Sequence, residues 1–256
     1  MSDIPASAVA SLRARTGVSI LECKKALEEA SGNEEQAIEI LRKRGAAQAV
    51  KKATRDQSEG LVFSAATEGK VSFVQIKCET DFVALNKDFQ ALGKEMAELA
   101  LQKGVDAVKG SQEKITAATQ QLGENISFGD MAVVEGDPLG YYVHTNRKIG
   151  VAVALKGGSQ EIAKDVAMHA AAMSPAYVSP DEVPEEAVAK EKVIWMEQLA
   201  KEGKPAQIME KIMIGKEKKF REENALMKQA FVKNPEQTIE QFLGGATIVQ
   251  YVRIAV

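Results

Sequence analysis

Apolar positions recur at helical spacing through the first part of the chain. Val9 and Leu12 share one face of a segment from about Pro5 to Arg15, which Thr16-Gly17 breaks. Ser19 and Glu22 have the spacing of a capping box, and Leu27 and Ala30 form the apolar side of the helix it starts. Gly32 stops that helix by taking the left-handed conformation. Asn33 caps a third helix with the stripe Ala37, Ile38 and Leu41, which the spacing predicts to end at Gly45. Three short helices this close together predict a small bundle suited to docking.

The period then changes. Leu61 to Ala66 and Val71 to Cys78 read as two strands across the turn Thr67-Glu-Gly-Lys70, with Ser72, Val74, Ile76 and Cys78 on one face and Val71, Phe73, Gln75 and Lys77 on the other. Thr80 to Leu85 leads into a helix with the stripe Phe89, Leu92, Met96 and Leu99, and another helix spans about Gln112 to Leu122. A second hairpin, Leu139 to Thr145 and Lys148 to Leu155, is followed by a helix carrying Ile162, Val166, Ala170 and Met173. Hairpin followed by covering helix, twice, predicts an α+β fold with a loose internal repeat. Pro180-Asp-Glu-Val-Pro184 opens a helical hairpin. One arm carries Val188, Trp195 and Leu199, the turn is Glu202-Gly-Lys-Pro205, and the other arm carries Ile208, Ile212 and Phe220. Each arm is ~25 Å long at the helical rise. A short helix from Pro235 to Leu243 and a strand from Thr247 to Val256 return to the core, which makes the helical hairpin an insertion. The expected units are residues 1–54, 55–140, 141–180 with 229–256, and 181–228.

Composition narrows the function. The chain has 256 residues, 45% of them hydrophobic, with a net charge of -3 and only 5% aromatics. That balance gives no general attraction to nucleic acid or anionic membranes, and few platforms for base stacking. The basic run Arg42, Lys43, Arg44, Lys51, Lys52 and Arg55 contains no acid. It reads as a mobile or helical connector that is simply solvated, or as a contact for an acidic partner or RNA. No apolar run approaches the ~20 residues of a membrane span, and Met1-Ser-Asp-Ile-Pro lacks the pattern of a leader, so a cytoplasmic protein with Cys23 and Cys78 reduced is expected.

Catalytic chemistry is hard to find. The histidines are His144 and His169, without metal-ligand spacing, and no nucleophile motif or phosphate-binding loop occurs. Asp137-Pro-Leu-Gly140 and Asn86-Lys87-Asp88 resemble fragments of GTPase motifs but lack the phosphate loop, so the chain is expected to bind no nucleotide itself, and to need no cofactor or metal. His169 lies on an apolar stripe, either as a core-edge histidine with its hydrogen bonds satisfied or as an interface contact. Phe82 beside Asp81 follows a strand. The neighbouring apolar faces are complete without it, so it is a candidate for pointing outward into a partner's pocket. A general interaction scaffold fits these features as well.

The run Arg15-Thr-Gly-Val-Ser-Ile-Leu-Glu-Cys-Lys-Lys-Ala-Leu-Glu-Glu-Ala-Ser-Gly-Asn33 resembles the opening of bacterial translation elongation factor Ts. So do Cys78-Glu-Thr-Asp-Phe-Val-Ala84, Ile149-Gly-Val151, Ala167-Met-His-Ala-Ala171 and Gly203-Lys-Pro205, in the family's order over essentially the whole chain. The family is the guanine-nucleotide exchange factor of the GTPase elongation factor Tu. The resemblance implies a non-enzymatic factor. It implies a ubiquitin-associated-like N-terminal module docking on the GTPase, with Leu12 and Arg13 as possible contacts. Thr80, Asp81, Phe82 and Val83 would be the segment that dislodges the GTPase's Mg²⁺. The second half of the core would grip another domain of the GTPase, with His169 as a possible contact. The helical hairpin would be a coiled coil of the kind that supports homodimers in some members. The chain ends at the Val256 strand, short of a further C-terminal segment that some members carry.

Overall fold

The computed structural model describes residues 4–201 and 205–256; the expected turn at 202–204, with the Gly203-Lys204 part of its motif, and the first three residues lie outside the described residues. The fold mixes helices and antiparallel sheets, an α+β architecture.

Helices α1 (Ala6–Thr16), α2 (Ile20–Glu29) and α3 (Glu34–Lys52) form a bundle around Val9, Leu12, Val18, Cys23, Leu27 and Leu41. Gly17 ends α1 at φ 67°, a left-handed geometry that suits glycine. The Ser19 hydroxyl accepts the Glu22 N–H at 3.3 Å, but the Glu22 carboxylate pairs with Lys25 and Arg44, so only half of the expected capping box forms. Asn33 caps α3 through the Gln36 N–H at 3.1 Å. The expected stop at Gly45 is corrected: α3 continues to Lys52. Gly45 is instead a contact point, since a Cβ there would lie 2.3 Å from the Gln120 amide oxygen. All of the basic run except Arg55 thus lies in α3, and Lys51 and Lys52 in its last turn complement the helix dipole.

The first sheet is β1 (Glu59–Thr67), β2 (Lys70–Cys78) and β3 (Ser127–Glu135), in the order β1-β2-β3. Between β2 and β3 the chain forms α4 (Asp81–Ala84), α5 (Lys87–Lys103), α6 (Val105–Lys109) and α7 (Gln112–Leu122). One face of the sheet packs Phe63, Val74 and Ile76 against Phe89, Met96 and Ala100 of α5. Its other face, with Val62, Val71 and Phe73, meets the second sheet. Both faces of β2 are therefore buried, and both polar atoms of its buried amide find a partner. Gln75 donates to the Ala255 carbonyl (2.9 Å) and accepts the Asp130 N–H (2.9 Å), where the β2–β3 register slips.

The second sheet is β4 (Leu139–Val143), β5 (Ile149–Lys156) and the last strand, β8 (Thr247–Ala255), in the order β4-β5-β8. Along β5 the small residues Gly150, Ala152 and Ala154 face the first sheet, while Val151, Val153 and Leu155 face α8 (Gln160–Met173). The order of layers is thus helix, sheet, sheet, helix. Beyond it, α9 (Glu185–Lys201) and α10 (Ala206–Asn224) pair through Trp195 and Phe220, whose rings meet edge-on at 5.8 Å. Ile208, expected in this seam, is exposed. Arg221 fastens the base of the arms to the Val183 carbonyl at 2.9 Å and to Glu217 at 3.1 Å. The helix expected from Pro235 is shorter. β6 (Ala230–Phe231) pairs with β7 (Asn234–Thr238), then Thr238 caps α11 (Ile239–Leu243), and β8 (Thr247–Ala255) closes the second sheet.

Candidate functional site

The chain leaves β2 at Cys78 and turns at once. Thr80 is extended (φ −128°, ψ 157°) and caps the single turn α4, its hydroxyl accepting the Val83 N–H at 3.4 Å. Val83 and Ala84 drop into the first core cluster. Asp81 and Phe82 stay outside: Phe82 is 82% exposed and Leu85, one turn on, 68%. The segment expected to act as one unit therefore divides. Thr80 anchors it, Val83 pins it, and Asp81 and Phe82 are presented to solvent.

The turn is held from two sides. The Glu124 carboxylate accepts the Glu79 and Thr80 N–H groups at 3.0 Å each, and the Thr80 hydroxyl at 2.6 Å. Behind the turn, the buried Cys78 thiol donates to the Thr80 carbonyl at 3.2 Å. Burial first, then the Glu124 and Glu59 carboxylates, push that thiol up to about 12, so it stays protonated and serves as a donor. Sequence reasoning missed Leu85 and Glu124. Leu85 lies four residues before Phe89, in register with the α5 stripe, so its spacing reads as core; it is exposed because α5 starts only at Lys87, after the Asn86 cap. Glu124 lies 44 residues from Thr80, and no local pattern joins them.

The other expected contacts are placed elsewhere. Leu12 is fully buried in the bundle core, so it holds helices together and cannot touch a partner while the bundle is folded. Arg13, beside it, is exposed and lines an open cleft with Ile4, Val9, Ile20, Asp88 and Gln121. His169 is also fully buried, which agrees with the reading as a core histidine with its hydrogen bonds satisfied and not with the alternative of an interface contact. Its Nδ1 accepts the Val232 N–H at 3.1 Å, so Nε2 carries the proton and donates to Gln229 Oε1 at 3.0 Å. Asn86-Lys87-Asp88 is a helix start, with the Asn86 side chain accepting the Asp88 N–H at 2.8 Å. Among the described residues, no cluster of three or more His, Cys, Asp or Glu could hold a metal, and no helix is long and apolar enough to cross a membrane.

Burial of His169 lowers its proton affinity below the ordinary 6.5. The unfolded chain then takes up the proton more readily, so stability falls as pH drops through about 6.5 toward the depressed value. Urea unfolding at about pH 7.5 and pH 5.5 should show this loss, and a His169→Gln variant should show a smaller one. Equal losses in the two proteins would assign the pH dependence to other groups.

A family model described as Elongation factor TS matches residues 79–256, a span that takes in the whole Thr80–Val83 turn. The elongation factor Ts of Aeromonas hydrophila subsp. hydrophila is 45% identical, over 100% of this chain and 92% of its own. The chain belongs to the elongation factor Ts family. The elongation factor Ts of Marinobacter nauticus is 43% identical with the same coverage, and that of Deinococcus deserti is 40% identical over 96% of this chain and 97% of its own. Membership makes this chain a translation elongation factor, and it places the exposed Asp81 and Phe82 within the part of an elongation factor Ts that the family model describes.

Proposed function

We propose that this member of the elongation factor Ts family works as the guanine-nucleotide exchange factor of elongation factor Tu in the cytoplasm, with Asp81 and Phe82 as its working tip. The observation that carries this reading is a phenylalanine 82% exposed beside an exposed carboxylate, on a turn whose base is fixed by Glu124 and Cys78. An aromatic ring left in water costs free energy that only a partner's pocket returns. The bundle of α1–α3 is proposed as the ubiquitin-associated-like docking module, with Arg13 on its exposed side. The second sheet with α8 is proposed to hold another part of the GTPase, and α9–α10 to form a coiled coil open to self-association.

The mechanism is thermodynamic linkage. A factor that prefers the nucleotide-free GTPase weakens GDP by the same coupling by which GDP weakens the factor. Phe82 would enter a pocket opened when the GTPase's helices shift. Asp81 would compete for the ligand network around Mg²⁺ and loosen the metal that holds the phosphates. No covalent bond changes, so the factor is not an enzyme, and the nucleotide stays on the partner. The direction of exchange follows the supply of GTP over GDP.

The test is release of fluorescent GDP from elongation factor Tu, chased with unlabelled nucleotide, with and without this chain. Acceleration proportional to the amount of chain at low concentration is expected. Binding without acceleration would replace the exchange reading with a scaffold.

A further inference from the structure

We infer that Glu124 is a positioning residue: its carboxylate, reaching across from the loop between α7 and β3, sets the direction in which the Asp81–Phe82 tip points. The inference rests on the exchange reading above for its effect on rate, though not for its geometry.

Glu124 follows Gly123, whose left-handed backbone (φ 81°) ends α7 and turns the chain toward the end of β2. There the chain is leaving the first sheet, and the Glu79 and Thr80 N–H groups point away from the β2 ladder. One oxygen of Glu124 takes both, at 3.0 Å each. Two adjacent N–H groups aimed at one oxygen fix the backbone between them. The second oxygen takes the Thr80 hydroxyl proton at 2.6 Å. With its proton committed there, the hydroxyl must offer a lone pair to the Val83 N–H, which is the cap that starts α4. One carboxylate thus determines both the exit of the strand and the first turn of the helix, and Asp81 and Phe82 lie between these fixed points. Hydrogen bonds to an ionised acceptor are the strong kind.

The next residue fastens the same point to the connector that follows α3. The Asn125 N–H donates to Glu79 Oε1 at 2.6 Å, and its side-chain amide donates to the Arg55 carbonyl at 2.9 Å. Gln57 Nε2 donates back to the Asn125 carbonyl at 2.9 Å, and Ser127 closes the circuit on Gln57 at 2.7 Å. The connector that follows α3 and the base of the tip therefore share one anchor. Rigid aim matters because a wedge displaced by about 1 Å can lose much of its effect.

The test uses the full chain. Glu124→Ala should lower the maximal rate of stimulated GDP release about 10-fold, as expected for losing charge-assisted bonds, while the concentration for half-maximal effect changes less than about 3-fold. Hydrogen exchange at the Thr80 and Val83 amides should quicken about 10-fold, which is read without any partner. Glu124→Gln should restore the rate to within about 3-fold, because its amide oxygen can accept the two N–H groups and its amino group can donate to Thr80. A folded Glu124→Ala protein with the wild-type maximal rate overturns the inference. So does a lost rate with tip amides as protected as in the wild type. If Glu124→Ala does not fold, Glu124→Asp decides, since it keeps the charge but is one methylene short. Its expected loss of rate is at least about 3-fold, and an unchanged rate refutes the positioning role. If the wild type itself does not accelerate release, the exchange reading fails, and the amide measurement still decides whether Glu124 holds the tip.

Discussion

Phe82→Ala leaves the fold unchanged and slows stimulated GDP release by about 10- to 100-fold. The size follows from the ring. Burying a phenylalanine fully is worth about 1.5–3 kcal/mol, and each ~1.4 kcal/mol is tenfold. The absence of a folding cost follows from its exposure: at 82% accessible, the ring supports nothing in its own protein. The core beneath the turn is made by Val83, Ala84 and Phe89, which the substitution does not touch. Melting temperature and circular dichroism should match the wild type, while the release rate drops. Because the wedge acts in the transition to the nucleotide-free complex, affinity for that complex should fall with the rate. An Asp81→Asn variant and the double variant complete a cycle that divides the work between ring and carboxylate. If Phe82→Ala stimulates fully, the wedge has no part in exchange, and the exposed ring must be explained by another partner.

How much of this was legible beforehand depended on whether the deciding contact was local. Gly17, Asn33 and the Glu68-Gly69 turn act within a few residues, and they placed the bundle and the first hairpin. Gly45 did not end α3, because a glycine inside a helix signals either a stop or a close neighbour, and the neighbour, Gln120, is 75 residues away in α7. β3 was missed because its residues, Ser127–Glu135, follow no strict alternation, and its register slips where Gln75 turns into the bulge. The segment at Pro235 read as a helix start, yet Ala230–Phe231 and Asn234–Thr238 pair first, and only Thr238 caps the helix. At the site, exposure of Phe82 was inferable by elimination, because the apolar faces beside it were complete. Leu12 and His169 show the opposite case. A family resemblance marks a position as important without saying whether its side chain faces out, and both face in.

Gly140→Ala is the substitution expected to damage the fold most for a single added methyl group. In sequence, Gly140 closes the Asp137-Pro-Leu-Gly fragment that resembles a GTPase motif. In the structure it is a strand residue opposite Val153, pressed against α8. A Cβ there would lie 2.0 Å from the Lys164 nitrogen, 2.2 Å from the Ala163 carbonyl carbon and 2.6 Å from the Lys164 Cα. All three are backbone atoms, so no rotamer change can relieve the clash. At Gly93, by contrast, the methyl would meet the Phe63 ring, a side chain that can shift. To make room, α8 must move off the sheet, opening the contacts of Ala163, Val166 and Ala167 with Val151, Val153 and Leu155. The same displacement pulls on His169 and its bonds to Gln229 and Val232. Overpacking of this kind costs about 3 kcal/mol or more. In a chain of this length that corresponds to a melting temperature lower by about 6–12 °C. Differential scanning calorimetry of the variant beside the wild type measures it directly. A melting temperature within about 1 °C of the wild type would mean that α8 and β4 do not approach as closely as described.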